Sequence, residues 1–239
     1  MKGVSLLSIK NILFDLDGTL LPMDQDVFLN AYFKLLVVRL ADHGYDPDQT
    51  VKAIWHCTMS VIQNDGSTTN EQAFWRGFSD IFGPDCINDI PIFDDFYRNE
   101  FQQVAKSCGF NPKAAECIKT LQKKGYRIVL ATNPIFPAIA TESRVRWAGL
   151  EPSDFELITT YENSTYCKPN PEYYRQIAEK LNLVPEECLM VGNDVDEDMI
   201  AAKLGMNVFL LTDCLINKHN ADISQYPNGS FDELMAYIG

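Results

Sequence analysis

The sequence has few of the features that mark metal–sulfur sites or membrane segments. Its seven cysteines include no CxxC pair, and its three histidines, His43, His56 and His219, share no metal-ligand spacing. No apolar run approaches the length of a transmembrane helix, and the apolar stretch near Met1 is too short for a signal peptide. We therefore expect a cytoplasmic protein with reduced thiols and no membrane partner.

Positive charge is also scarce. The chain has 20 lysines and arginines against 33 acidic residues, a net charge of −13. Nucleic acid and anionic membrane surfaces are bound by basic faces, so this balance argues against both as partners. An anionic substrate remains compatible with the sequence, provided that a cation is supplied locally.

What the sequence does contain is an alternation of short apolar runs with helical patterns. Helices are predicted after Pro171, over 196–204, and from Pro112 to the residues before Gly125, with Asn111 as N-cap. A last helix is predicted to start at Ser230, where Glu233 completes a capping box. This alternation predicts the α/β class, with a doubly wound, Rossmann-like parallel sheet as the core. The predicted buried strands are 12–14, 128–131, 157–159, 189–191 and 208–211.

The segment between the first two predicted strands breaks this alternation. Residues 23–104 show only helical periods, over 27–40, 51–62, 73–82 and 92–104. A connection of this length is far longer than usual for an α/β unit. We predict an inserted, all-helical cap domain at 23–104, and a catalytic core formed by 1–22 and 105–239.

Polar side chains follow several of the predicted strands. Ligands of open α/β sheets bind beyond the carboxyl ends of the strands, so these side chains are expected at one edge of the sheet. They are Asp15 and Asp17, Thr132 and Asn133, Lys168 before a helix, and Asn193, Asp194 and Asp198.

Four motifs carry a family resemblance. They are DLDGTL (15–20), the threonine of LATN (130–133), the lysine of CKPNPEYY (167–174) and VGNDVDED (191–198). In this order they resemble the haloacid dehalogenase superfamily of hydrolases, and more closely its phosphatases with a helical cap after the first motif. The resemblance covers the core, whereas the cap matches only by position and helical character. It implies a Mg²⁺-dependent phosphomonoester hydrolase that acts on a small phosphorylated metabolite.

The resemblance also implies a covalent mechanism. Asp15 would attack phosphorus to form an aspartyl-phosphate, which water then hydrolyses. Asp17 would protonate the leaving alkoxide and afterwards accept a proton from the attacking water.

The phosphate would be held by groups from three segments. Backbone N–H groups near Leu16 and Asn133 and the hydroxyl of Thr132 would bind its oxygens. Lys168 would supply positive charge to both the phosphate and the nucleophile.

Mg²⁺ prefers oxygen ligands and takes one or two carboxylates together with phosphate oxygen and water. The resemblance implies the Asp15 side chain, the Asp17 main-chain carbonyl and an acid of the fourth motif. We expect Asp194 as the direct ligand and Asp198 as a supporting residue. Asn193 is the alternative ligand because it directly follows the glycine, and Asp198 is alternatively a favourable charge in a first helical turn.

The sequence leaves the substrate open. In the cap, Arg76 is the candidate for a substrate contact, while aromatic residues at helical spacing are more often core. A phosphomutase, a 2-haloacid dehalogenase and a non-catalytic binding protein are the alternative functions. The second aspartate, Asp17, argues against a dehalogenase, which lacks it in this family.

Overall fold

A computed structural model describes residues 9–239. Six parallel strands form one sheet in the order β3-β2-β1-β4-β5-β6, which confirms the predicted doubly wound α/β core. The sixth strand was not predicted because its two residues contain no apolar run. The strands are β1 (Asn11–Phe14), β2 (Arg127–Leu130), β3 (Leu157–Ile158), β4 (Cys188–Gly192), β5 (Asn207–Leu211) and β6 (Asn228–Gly229).

The chain between β1 and β2 is helical, and we refer to residues 25–107 as the helical insertion. Its aromatic and aliphatic side chains form a buried cluster that also includes Ala140, Tyr161 and Cys167 of the core and is distinct from the clusters on the two faces of the sheet. The limits 23 and 104 for a cap domain stay a prediction. The elements are α1 (Gln25–Ala41), α2 (Pro47–Ile62), α3 (Asn70–Phe82), α4 (Ile90–Arg98) and the 3₁₀-helices Pro84–Asp89 and Glu100–Ser107.

Four helices pack on the sheet: α5 (Pro112–Lys123), α6 (Ala138–Trp147), α7 (Pro171–Leu181) and α8 (Phe231–Ile238). The predicted start of α5 is confirmed, since the Asn111 side chain accepts a hydrogen bond from the N–H of Lys113 at 3.1 Å. The predicted capping box of Ser230 and Glu233 at α8 is confirmed as well. Short 3₁₀-helices complete the core at Pro152–Asp154, Pro185–Glu187, Met199–Leu204 and Ile223–Gln225.

Two of the predicted helices are not continuous α-helices in the structure. The helix expected over 92–104 is broken at Asn99, whose side chain donates to the carbonyl of Asp95 at 2.9 Å and competes with helical bonding. The helix expected over 196–204 is a 3₁₀-helix that begins only at Met199. Its first residues form a turn instead, because Asp194 Oδ1 accepts the N–H groups of Asp196 and Glu197.

The strand order determines where a ligand can bind. The chain order reverses between β1 and β4, which lie side by side with Phe14 opposite Val191. In such sheets this reversal leaves a crevice beyond the carboxyl ends of the two strands. The backbone N–H of Asp15 donates to the Val191 carbonyl at 2.9 Å, so Asp15 lies at that crevice.

The helical insertion is attached to the core at several places, one of them through Gln102, which donates to Ser143 Oγ of α6 at 2.9 Å. Where the chain leaves and re-enters the core, Met23 pairs with Cys108 in an antiparallel bridge. At the start of α3, the backbone N–H of Asn70 donates to the Ser164 carbonyl at 2.8 Å, and its side chain donates to the Pro134 carbonyl at 3.1 Å. Within residues 9–239, no helix combines the length and the apolar character needed to cross a membrane.

Candidate active site

A buried lysine joins two of the predicted acidic residues. Lys168 Nζ donates to Asp15 Oδ1 at 2.8 Å and to Asp198 Oδ1 at 2.6 Å. The side chains of Lys168 and Asp198 are each only 1% exposed. Asp198 is therefore part of the site and not a solvated charge in a first helical turn, which was the alternative interpretation.

Burial and neighbouring charge oppose each other in this cluster. Burial raises the pKa of Asp15 to about 7, with further increases from Asp198 and Asp17, while Lys168 lowers it. Burial alone would lower the pKa of Lys168, but the carboxylates of Asp15 and Asp198 hold it well above its usual value. Lys168 is thus a permanent positive charge beside Asp15.

Asp17 has a partner that the sequence did not predict. Its Oδ2 forms an ion pair with Nη1 of Arg144, whose side chain is 1% exposed. The guanidinium also lies over the Phe136 ring, 4.5 Å from its centroid, and Nη2 is 3.3 Å from Thr141 Oγ1. The other oxygen, Asp17 Oδ1, is buried and has no hydrogen-bond partner within residues 9–239. Arg144 therefore fixes the Asp17 carboxylate through one oxygen and leaves the other unengaged.

Asn193 braces the turn that follows β1. Its Oδ1 accepts from Thr19 Oγ1 at 2.9 Å, and its Nδ2 donates to the Cys214 carbonyl at 2.6 Å. Gly18 has a φ of +82°, and a Cβ there would overlap the Asn193 amide. Because both ends of the amide are bonded to protein, the structure favours a bracing role for Asn193 over the alternative role as a metal ligand.

Asp194 has one engaged oxygen and one open oxygen. Its Oδ1 accepts the N–H groups of Asp196 and Glu197 at 2.8 and 3.0 Å. Its Oδ2 makes no hydrogen bond within the described part of the chain, and the side chain lines the same cavity as Asp15. Burial raises the pKa of Asp194 above its usual value.

Glu197 is a second residue that the sequence did not single out. Burial raises its pKa to about 7, and Oε2 accepts from Asn133 Nδ2 at 3.1 Å. Asn133 Oδ1 is buried without a partner in residues 9–239. Glu197 lay within the fourth motif, but nothing in its sequence position distinguished it from exposed Asp196.

Two of the predicted phosphate-binding residues lie together at the cavity, and the contact through backbone N–H groups near Leu16 stays a prediction. Thr132 and Asn133 line the cavity with Asp15 and Asp17. The side chain of Leu16 is fully buried and does not line the cavity. Its carbonyl accepts the N–H groups of Thr19 and Leu21, which closes the turn after β1.

The cavity has a volume of about 230 Å³ and lies between the core and the helical insertion. The acidic residues form its core end, and side chains of α1 to α4 form the opposite wall. Arg76 is exposed on α3 and is not among the lining residues, so the structure does not bring it to the site.

The donors available for Mg²⁺ are oxygens. Asp15 and Asp194 contribute carboxylates, and Asp194 Oδ2 makes no hydrogen bond in the described residues. No group of three or more His, Cys, Asp and Glu side chains is arranged to hold a metal within 9–239. The expected Mg²⁺ ligands are two carboxylates, one main-chain carbonyl and a substrate oxygen, so a cluster of three such side chains is not required. All of these ligands are oxygens, which a hard cation prefers.

Comparison with known proteins places this site in a family. Residues 9–205 match the family model described as haloacid dehalogenase-like hydrolase. The chain belongs to this family. The match extends over β1, the helical insertion and β4, and therefore includes every residue of the buried cluster around Lys168.

Curated relatives of this hydrolase are phosphatases at low identity. A pyrophosphatase PpaX of Bacillus cereus is 23% identical over 188 residues, which cover 79% of this chain and 76% of that protein. A phosphoglycolate phosphatase of Vibrio vulnificus is 26% identical over 213 residues, covering 85% and 84%.

Solved structures share the fold. A HAD phosphatase from Thermococcus onnurineus superposes with a TM-score of 0.60 at 18% identity, covering 97% of this chain and 98% of that one. A predicted phosphoglycolate phosphatase from Haemophilus somnus gives 0.58 at 20% identity, covering 99% and 100%.

Proposed function

We propose that this hydrolase is a Mg²⁺-dependent phosphomonoester phosphatase that uses Asp15 as its nucleophile. The observation that carries the proposal is the buried Lys168, which contacts the Asp15 carboxylate at one end of the cavity. A permanent positive charge at this position would stabilise a phosphoryl group as it is transferred to Asp15. The phosphatase relatives support the same reaction class.

The transfer has two steps. A carboxylate oxygen of Asp15 attacks phosphorus as the bond from phosphorus to the ester oxygen breaks, and the leaving oxygen takes a proton from Asp17. Water then attacks phosphorus of the aspartyl-phosphate and gives its proton to Asp17, which releases inorganic phosphate and restores both carboxyl groups. The unengaged Oδ1 of Asp17 is the oxygen suited to carry this proton.

The remaining residues hold the phosphate and the charge around it. Thr132 and Asn133 line the cavity beside Asp15, and the Thr132 hydroxyl and a backbone N–H near Asn133 would donate hydrogen bonds to phosphate oxygens. Asp15, the Asp17 carbonyl and Asp194 would hold Mg²⁺, with Asp198 supporting them through Lys168. Bound there, the cation supplies positive charge that offsets the cluster of carboxylates and the phosphate.

The proposal is tested by phosphate release from a panel of phosphomonoesters, including p-nitrophenyl phosphate, with purified protein and Mg²⁺. We expect hydrolysis that EDTA abolishes and added Mg²⁺ restores. Asp15→Asn should lower kcat by at least about a thousandfold, because the amide cannot act as the nucleophile.

The matched control is Asp196→Asn, which removes an exposed carboxylate of the fourth motif that does not line the cavity. This variant should keep wild-type activity. A wild-type protein inert on the whole panel, or an Asp15→Asn variant with full activity, would overturn the proposal. Transfer of phosphate to a second hydroxyl in place of its release would identify a mutase.

A further inference from the structure

The wall of the cavity opposite Asp15 is aromatic. We define the aromatic wall as the side chains of Phe28, Tyr32, Phe74, Trp75, Tyr97 and Phe136, all of which line the cavity. Their rings pack on one another, as in the edge-on contact of Tyr32 and Phe136 with centroids 5.5 Å apart. In a substrate whose phosphoryl group lies beside Asp15, the leaving group would point towards this wall.

The polar groups on this side of the cavity are neutral or negative. The hydroxyl groups of Tyr32 and Tyr97 are 3.0 Å apart and hydrogen-bonded to each other. Gln25, Thr58 and Asp94 are the other polar residues that the insertion contributes to the lining. No lysine or arginine of residues 9–239 lines the cavity.

The two buried cations near the cavity are already engaged. Lys168 contacts both Asp15 and Asp198. Arg144 contacts Asp17 and lies over Phe136 at the edge of the aromatic wall. Neither is available to pair with a second negative charge on a substrate, and an unpaired charge is costly to bury in an apolar cavity.

The cavity is also small. Its volume of about 230 Å³ is below the roughly 300–1,000 Å³ of pockets for drug-sized ligands. This volume favours a small phosphate ester.

We infer that the substrate is a small phosphate monoester whose alcohol is uncharged and apolar, with an aromatic ring favoured by stacking on the wall. This inference rests on the proposed phosphatase function and restricts its substrate class. Esters whose leaving group carries a carboxylate or a phosphate are disfavoured, because no lysine or arginine of residues 9–239 lines the cavity to pair with the second negative charge. This chain therefore differs in specificity from the relatives named for pyrophosphate and phosphoglycolate.

The test compares benzyl phosphate with 2-phosphoglycolate. Both are primary esters of the form X–CH₂–O–phosphate, so they differ mainly in whether X is a phenyl ring or a carboxylate. We expect kcat/KM for benzyl phosphate to exceed that for 2-phosphoglycolate by at least about a hundredfold, because the carboxylate would be buried without a partner. Pyrophosphate should be hydrolysed as poorly as 2-phosphoglycolate.

A cation placed on the aromatic side should reverse the preference. Thr58→Arg introduces one into the lining, and it should raise kcat/KM for 2-phosphoglycolate relative to benzyl phosphate at least about tenfold. Asp94→Asn removes the one carboxylate that the insertion contributes and should shift the ratio in the same direction. The control is Met59→Arg, which adds the same charge at the exposed neighbouring position of α2 and should leave the ratio unchanged.

The outcomes separate this inference from the proposed function. Hydrolysis of 2-phosphoglycolate as fast as benzyl phosphate, dependent on Asp15, would overturn the inference and leave the phosphatase intact. A ratio unchanged in both Thr58→Arg and Asp94→Asn would also overturn it. Absence of Asp15-dependent hydrolysis of any ester would instead overturn the proposed function.

Discussion

Two arginines of α6 lie two residues apart in opposite surroundings. Arg144 is buried against Asp17, whereas Arg146 is half exposed and pairs with Glu142 at 3.2 Å. A guanidinium presents a planar fork of donors that an ammonium group lacks. Arg144 is therefore suited to fix the orientation of the Asp17 carboxylate, and we treat it as a positioning residue.

Arg144→Lys tests this role, because it keeps the charge and removes the fork. We expect kcat for benzyl phosphate to fall about 10- to 100-fold, since a displaced Asp17 would protonate the leaving oxygen poorly. The loss for p-nitrophenyl phosphate should be smaller, because p-nitrophenolate leaves without a proton. Steady-state kinetics with both esters measures the difference.

Arg146→Lys is the matched control and should behave as wild type with both esters. Equal losses for the two esters in Arg144→Lys would contradict the positioning role and indicate a general structural defect.

Gly18 allows a second comparison of single residues. Gly18 and Gly44 both have positive φ values, +82° and +89°, but only a Cβ at Gly18 would meet other atoms. Gly44→Ala should lower the free energy of unfolding by about 1–2 kcal/mol, the cost of a left-handed backbone. Gly18→Ala should cost more and abolish phosphate release, because Asn193 must move. Urea unfolding and activity assays check both variants, and equal stability losses would contradict the bracing role of Asn193.

The acidic residues were predictable and Arg144 was not, for a physical reason. Asp15 and Asp17 follow an apolar strand within a dense motif, so sequence and topology together place them. The buried side of α6 carries polar residues, including Thr141, Ser143 and Arg144, and therefore shows no apolar period. Only the packing of α6 against the turn after β1 distinguishes Arg144 from Arg146.

Among the elements, α3 attaches the helical insertion to the core through its first residues. Asn70 is fully buried at its start and forms hydrogen bonds with Pro134 and Ser164 of the core. Its side chain also accepts from Asn64 Nδ2 at 2.9 Å. Gln102 of the insertion also bonds to the core, where it donates to Ser143 Oγ at 2.9 Å.

Asn70→Ala should lower the free energy of unfolding by about 1–3 kcal/mol, because buried partners lose their hydrogen bonds. Asn99→Ala is the control: that side chain is exposed and bonds only within its own segment. Its effect should be about 0.5 kcal/mol or less. Denaturant unfolding measures both, and a loss for Asn70→Ala no larger than for Asn99→Ala would contradict the attachment.

The elements with strong local signals were the predictable ones. Apolar runs located five strands, and Asn111 and Ser230 located two helix starts. The break at Asn99 and the turn before Met199 depend on side-chain hydrogen bonds to the backbone, which compete with the helix and leave its apolar period unchanged. The two-residue strand β6 is defined by its parallel pairing with β5 and not by a local sequence signal.

For the whole molecule, the seven cysteines are free thiols, five of them buried and two, Cys108 and Cys214, partly exposed. Burial raises the pKa of Cys57 and Cys117 to about 12 and that of Cys108 to about 11. The thiolate is the reactive form. A raised pKa therefore slows the reaction of these thiols with a thiol reagent at pH 8, and the reaction should become faster as the pH rises.

With a thiol reagent such as DTNB at pH 8, we therefore expect one fast thiol, Cys214, in the native protein and all seven after denaturation. Cys214→Ser should remove the fast phase and leave the denatured count at six. Several fast thiols in the native protein would contradict the burial described for this chain.

The attachment of α3 has a consequence for how a substrate reaches the cavity between the insertion and the core. The Met23–Cys108 bridge lies where the chain itself joins insertion and core, so an opening motion can preserve it. The amide hydrogens of Asn70 and Glu71, by contrast, are bonded to core carbonyls of Ser164 and Tyr161, and separating insertion from core must expose them to water. The rate of deuterium uptake at these two amides therefore reports how often the insertion separates from the core. A bound ester that contacts both the insertion and the core should slow that uptake.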